Sequence, residues 1–248
     1  MIWRLIRFEY HDAAMNMALD EAVCNGVRDS TSSPTIRFYG WKPSAVSIGR
    51  FQSLQDEVDL KRCDELGVDV VRRRTGGGAV FHDSENEVTY SIIAPELAMP
   101  KDINVAYQEI CGCVVSALAS LRVESKFSPI NDILVDGKKI SGSAQSRRNS
   151  VFLQHGTLLL DVDIEKMFGV LRTNEAKNVG RNIASAKERV TSLKEHSGAS
   201  KQEVLSALEM AFASGRNCQH GIWSANELQE AERLVLQRYS TTEWNCER

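Results

Sequence analysis

The stretch Arg72-Arg73-Arg74-Thr75-Gly76-Gly77-Gly78-Ala79-Val80-Phe81-His82-Asp83 constrains the fold more than any other part of the chain. Three arginines run directly into three glycines, and the strand-forming run Val68 to Val71 precedes both. Glycine loses more backbone freedom on folding than any other residue, so a triplet is kept mainly where a side chain would obstruct something. Bare backbone can approach a ligand closely, and guanidinium groups pair bidentately with phosphate or carboxylate. The segment therefore reads as a strand ending in an anion-binding loop. A glycine hairpin beside a solvated basic strand end is the competing reading, and residue type alone leaves both open.

At 248 residues the chain is long enough for one large domain or two small ones. Its 42% hydrophobic and 25% charged content is that of an ordinary soluble globular protein. A net charge of −3 gives no global basic field to recruit nucleic acid or an anionic membrane. Any anionic ligand must be gathered locally, with Arg72 to Arg74 the obvious place. The six cysteines include no CxxC pair, and Cys111-Gly112-Cys113 falls in a helical segment, which favours buried thiols over metal binding. No signal-like amino terminus occurs, and no apolar run approaches the roughly 20 residues of a membrane helix. A cytoplasmic location is expected.

Periodicity predicts strands at Trp3 to Phe8, Ile36 to Tyr39, Ala45 to Ile48, Val88 to Ala94 and Val151 to Leu160. Helices are predicted around Asn16 to Val23, Asp59 to Leu66, Val105 to Leu121, Lys201 to Phe212 and Ala225 to Arg238. Asp136-Gly137 suits a hairpin between strands Ile133 to Val135 and Lys139 to Ser141. The polar stretch from about Arg172 to Ser200 reads as a loop-rich connection. This mixture predicts one α/β or α+β domain spanning 1–248, with no internal boundary.

A second constellation, Asn131-Asp132 through Lys139-Ile140-Ser141-Gly142-Ser143-Ala144, could bring an ammonium to a ligand. In a plain strand, Lys139, Ser141 and Ser143 share one face, and a lysine there would suit an oxyanion or phosphate. Gln154-His155-Gly156-Thr157 adds a histidine and a glycine on a third strand. His82-Asp83 is read as shaping the turn after the glycines. The phosphate loop G-x-x-x-x-G-K-[ST], the dinucleotide fingerprint after the relevant strand and the G-x-S-x-G elbow are all absent.

Taken in order, the arginine–glycine stretch, Asn131-Asp132, Lys139 to Ala144 and His155-Gly156-Thr157-Leu158-Leu159-Leu160 resemble the lipoate–protein ligase family. So do Asn16 to Ala22 and Tyr239-Ser240-Thr241-Thr242-Glu243-Trp244-Asn245. The resemblance spans nearly the whole chain. It implies an α+β fold, a mixed β-sheet flanked by helices, shared with biotin–protein ligases and octanoyltransferases. It further implies activation of lipoate with MgATP to lipoyl-AMP, then transfer to a lysine of a carrier domain of the 2-oxoacid dehydrogenase or glycine cleavage type. Arg73, Gly78 to Phe81 (Ala79 and Val80 included) and Lys139 match nucleotide-contacting positions. Lys139 would be the catalytic group, touching both the α-phosphate and the acyl carbonyl. Arg72, Gly76, Gly77, Asn131, Asp132 and His155 would line the same pocket. Asp132 is the expected Mg²⁺ ligand, since the hard cation prefers oxygen donors. Val46, Ile48 and Val80 are expected along the acyl tunnel or in plain core.

Two departures qualify the resemblance. Ile36 to Trp41 and Gly137 to Gln145 also look like the octanoyltransferases, which move octanoate between carrier proteins without ATP. Those enzymes depend on a cysteine shortly before the Asp–Gly–Lys region, and Arg122 to Ile130 contains none, so no thioester can form there. On that ground the ATP-using ligase is the favoured expectation. No carboxy-terminal accessory domain of the kind many ligases carry is expected after Trp244-Asn245, which leaves open a two-part enzyme with a separate accessory subunit. A non-catalytic lipoyl-AMP-binding protein is the third reading. No nucleic-acid or membrane partner is expected.

Overall fold

The computed structural model describes residues 1–172 and 188–247. The part of the expected loop-rich connection at 173–187 lies outside the described residues. The chain runs β1 (Trp3–His11), α1 (Ala13–Arg28), β2 (Thr35–Trp41), β3 (Ala45–Ile48), α2 (Leu54–Glu57), α3 (Leu60–Leu66), β4 (Asp69–Arg72), β5 (Val80–His82) and β6 (Glu87–Pro95). It continues through α4 (Ile103–Ser120), β7 (Lys126–Ser128), β8 (Asp132–Val135), β9 (Lys138–Arg148), β10 (Val151–Leu159) and α5 (Ile164–Val170). α6 (Lys201–Ala213), β11 (Cys218–Gly221), α7 (Ala225–Leu234) and α8 (Thr242–Cys246) complete it.

Strand alternation sets the layers. Successive side chains of a strand point to opposite faces. Ile36 and Phe38 of β2, with Val88, Tyr90 and Ile92 of β6, therefore enter one core, shared with α4 and α6. Tyr39 and Trp41 face the other way, into a second core with α1 and α7. Buried on both faces, β2 and β6 sit centrally in an eight-stranded mixed sheet of order β11-β1-β2-β6-β10-β9-β8-β7. Three further strands, β4-β3-β5, make a small sheet beside α1. The expected α+β architecture of a mixed sheet with flanking helices is what the chain adopts.

Local chemistry marks the ends of these elements. Asp12 and Asp102 accept backbone N–H groups at the starts of α1 and α4, while Ser200 with Glu203 and Ser224 with Glu227 form capping boxes. Asp136 and Gly137 both take positive φ (50° and 79°), as a two-residue hairpin of the I′ kind requires. Among the described residues α4 alone is long and apolar enough to cross a membrane, with mean hydropathy 1.2. Its Ile110, Cys111, Val114 and Leu118 lie in the core, so packing accounts for that apolar character.

One register detail changes the reading of β9. Gly142 pairs with Asp132 and Ser141 with Ile133, but Lys139, not Ile140, pairs with Leu134. Ile140 is thus an extra residue, a bulge that resets the alternation. The expected common face for Lys139, Ser141 and Ser143 is not formed. Lys139 instead shares a face with Gly142 and Asp132, while Ser143 turns toward α4 and meets Cys111 and Tyr90.

Candidate active site

A cavity of about 350 Å³ is bounded by the glycine loop, the small sheet and one face of the large sheet. The loop contributes Arg73 and Gly77 through Phe81, and the second constellation adds Asn131 and Lys139; β10 contributes His155. Separate sequence motifs therefore do converge on one site. Arg72, Gly76 and Asp132 stay outside this lining. Met17, Trp41, Leu159, Met167 and Leu171 make much of the remaining wall apolar. Of the residues expected along a tunnel, Val80 lines the cavity, whereas Val46 and Ile48 pack in a separate core with Leu54, Val58 and Cys63.

The arginines work inward. Arg73 directs Nε at Thr75 Oγ1 (3.2 Å), Nη1 at Ser47 O and Oγ (3.0 and 3.2 Å), and Nη2 at Gly76 O and Gly78 O (2.8 and 2.7 Å). These acceptors use all the N–H groups a guanidinium has. Arg72 is fully buried and donates to the carbonyls of Gly49, Arg50, Gln52, Trp244 and Asn245. Burial draws Arg73 down to about 10, which still leaves it cationic at neutral pH. The expected anion cradle is therefore not what these guanidinium groups form here: Arg73 holds the glycine loop from within, and Arg72 ties the end of β4 to the 49–52 segment and to α8. Arg74 pairs with Glu21 at 3.5 Å.

The glycines divide by function. Gly77 has φ +94°, and its carbonyl lies so near Gly49 that a Cβ there would sit 2.1 Å from the oxygen. Gly76 and Gly78 face open space. The loop thus needs glycine at one position for conformation, while Gly78 leaves the cavity rim uncovered.

Lys139 Nζ lies 2.6 Å from Asp132 Oδ1 and rests over Gly142, whose absent side chain makes room for it. Asn131 donates from Nδ2 to the Ser143 carbonyl, tying β8 to β9. Asp132 was expected to hold Mg²⁺, yet its carboxylate is already met by the ammonium. No cluster of three or more His, Cys, Asp and Glu that could hold a metal occurs among the described residues. This donor set does not fit a protein-held Mg²⁺ ion.

Beneath the cavity lie polar groups that the sequence reading did not single out as site residues. Asp20 Oδ1 accepts from Arg37 Nη1 (3.1 Å) and Ser91 Oγ (2.8 Å), and its Oδ2 lies 3.6 Å from His155 Nδ1. Burial alone would raise the Asp20 carboxyl, but Arg37, His155 and Ser91 outweigh it and hold it below the ordinary value. Burial lowers His155, despite the pull of Asp20 in the other direction. His155 Nε2 meets Thr75 Oγ1 at 2.7 Å. Asn16 and Asp20, four apart among the apolar residues of the first half of α1, were the available signal, since that spacing puts both on one face. His82, read as part of a turn, is instead buried between Ser47 Oγ and Glu87 Oε1, at 2.8 Å from each.

Among the described residues no cysteine lines the cavity. Cys111 comes nearest in kind, 3.5 Å from Ser143 Oγ on the α4 side, where burial pushes its thiol pKa up.

Residues 12–213 match the sequence profile of the lipoyl protein ligase A/B catalytic domain. The octanoyltransferase LipM of Brevibacillus brevis is 36% identical, with 99% of each chain covered. The octanoyltransferase LipM of Clostridioides difficile is 40% identical over 69% of this chain and 70% of its own. Among solved structures, the bi-partite lipoate protein ligase of Thermoplasma acidophilum, studied with its E2 lipoyl domain, superposes with a TM-score of 0.90 at 29% identity, covering 99% of this chain and 96% of the other. The expectation of an ATP-dependent lipoate ligase forming lipoyl-AMP is overturned by these sequence relatives, both named octanoyltransferases. Arg72 and Arg73 of the glycine loop are engaged internally, so the loop does not discriminate in the ligase's favour. The chain belongs to the lipoyl protein ligase A/B catalytic-domain family and is an enzyme of lipoylation.

Proposed function

We propose that the chain transfers an octanoyl group from the thioester of one carrier protein to a lysine on a lipoyl domain of a 2-oxoacid dehydrogenase or glycine cleavage protein. The observation that carries this reading is a largely apolar cavity with, among the described residues, a single lysine, Lys139, in its wall, in a chain that resembles octanoyltransferases along its length. An alkyl chain entering such a wall gains about 0.8 kcal/mol per buried methylene, or roughly 5 kcal/mol for an octanoyl tail. A thioester is already activated, so transfer needs no nucleotide. The Lys139 ammonium suits the carbonyl oxygen as negative charge develops on it. Holding the acceptor amine in line supplies the remaining advantage through proximity.

The test is direct. The protein is incubated with octanoyl carrier protein and an apo lipoyl domain, without nucleotide, and the acceptor is weighed by mass spectrometry. Gain of one octanoyl group on the acceptor lysine is expected; an unmodified acceptor would refute the reading.

A further inference from the structure

Resting on the acyl-transfer reading above, we propose that Ser47 carries the acyl group as an oxygen ester between the two half-reactions, with His82 as its base and Glu87 orienting that base. Ser47 Oγ and His82 Nε2 are 2.8 Å apart, and His82 Nδ1 and Glu87 Oε1 are 2.8 Å apart. Nucleophile, base and orienting carboxylate within hydrogen-bond reach are the signature of an activated hydroxyl. Glu87 is itself fixed by Thr89 Oγ1 (2.6 Å), which accepts from Trp41 Nε1 (2.8 Å). The Trp41 ring stacks on His82 with centroids 3.9 Å apart. Every member of this chain is buried.

The hydrogen-bond donors order the protons. Arg73 Nη1 reaches Ser47 Oγ at 3.2 Å and can only donate. With the Glu87 carboxylate accepting from His82 Nδ1–H, Nε2 is the ring nitrogen left to accept from the Ser47 O–H. The adjacent guanidinium also favours negative charge on that oxygen. A parallel chain, Thr75–His155–Asp20, meets the same guanidinium through Arg73 Nε. Thr75 is fully buried and outside the cavity wall, whereas Ser47 and His82 both line it. Ser143, another hydroxyl of the wall, is engaged with Tyr90 and Cys111, not with a histidine.

The steps balance. Ser47 Oγ bonds to the thioester carbonyl carbon as His82 Nε2 takes its proton. The C–S bond breaks, and the leaving thiolate takes that proton from His82. The neutral amine of the acceptor lysine then attacks the ester; the amide C–N bond forms, the C–Oγ bond breaks, and the amine's proton returns to Ser47 through His82. No oxidant, reductant or nucleotide enters.

The experiment mixes the full-length protein with octanoyl carrier protein and no acceptor, followed by intact mass and peptide mapping. One octanoyl group on the peptide containing Ser47, resistant to neutral hydroxylamine, is expected. Ser47→Ala should abolish the adduct while the protein still folds and melts in one cooperative transition. Ser47→Cys should restore an adduct that neutral hydroxylamine now releases, as a thioester requires; a merely structural serine would not show this switch. An adduct on a cysteine of the unmodified protein, or transfer to the acceptor at normal rate by Ser47→Ala, would overturn the assignment while leaving the transferase reading intact. No adduct and no transfer would overturn both.

Discussion

The position of Lys139 depends on an atom that is missing. A Cβ at Gly142 would lie 2.7 Å from both Lys139 Cε and Nζ. Ordinary contact between such atoms is about 3.5–4.0 Å, so Gly142→Ala must push the ammonium away by about 1 Å. The backbone has no objection, because Gly142 is not among the glycines with positive φ. A displacement of that size in a reacting group costs on the order of 10²-fold in rate, equivalent to about 2.7 kcal/mol of transition-state stabilisation. Folding should hardly notice. The Lys139–Asp132 pair is partly exposed, with side-chain exposures of 42% and 33%, and exposed pairs contribute about 0–1 kcal/mol. In a chain of this size that corresponds to at most about 4 °C in melting temperature. The assay measures kcat/KM for octanoyl transfer alongside a thermal melt, with Lys139→Ala as the reference for complete loss. Gly142→Ala with near-normal kcat/KM would refute the proposed role of the lysine's position. A melting point many degrees lower would refute the claim that the side chain gives way instead of the sheet.

Three further outcomes follow from the same geometry. Gly49→Ala should destabilise by about 1–3 kcal/mol, the range for overpacking, because its Cβ meets the Gly77 carbonyl at 2.1 Å; Gly78→Ala faces open space and should melt like the parent while impairing transfer if acyl substrate passes the loop. Replacing Arg72 by leucine removes the donor from five carbonyls, that of Gly49 buried and the other four part-buried, at about 1–3 kcal/mol for each left unsatisfied, so urea unfolding should show a loss above about 3 kcal/mol; a loss under 1 kcal/mol would contradict the structural role. Stability should fall on acidification in two stages. His155 is held below its ordinary 6.5 and Asp20 below its ordinary 3.8, so the unfolded chain binds more protons than the folded one in each window. Unfolding free energy should therefore drop as pH falls below 6.5, and again below 3.8 toward the depressed Asp20 value. His155→Gln should flatten the first stage, and an unchanged slope in that variant would assign it elsewhere.

Much of the fold was legible because local chemistry agrees with it. The Asp136-Gly137 hairpin, the Gly67 terminator of α3 and the alternating runs of β2 and β6 each follow from backbone preference or burial. The helix predicted to Arg238 instead ends at Leu234 and passes into a π-type turn over Val235–Tyr239. There Tyr239 is drawn inward to donate to Glu21, a contact 218 residues distant in sequence. Strand β11 was not predicted, because Cys218 to Gly221 has no apolar alternation and is a strand by virtue of pairing with β1.

That the arginine–glycine stretch, Lys139 and His155 share one site was implied by the resemblance of the ordered motifs to the lipoate–protein ligase family; residue type alone left it open. Whether a guanidinium faces a ligand or the protein's own carbonyls depends on which acceptors the fold brings within 3 Å, and neighbours in the chain do not say. The phase of β9 likewise turns on one extra residue in a strand pairing, and that residue puts Lys139 beside Asp132 instead of Ser143. Ser47, His82 and Glu87 come from three strands, spaced 35 and 5 residues apart, and only the packing of the small sheet against the large one makes them a single proton path.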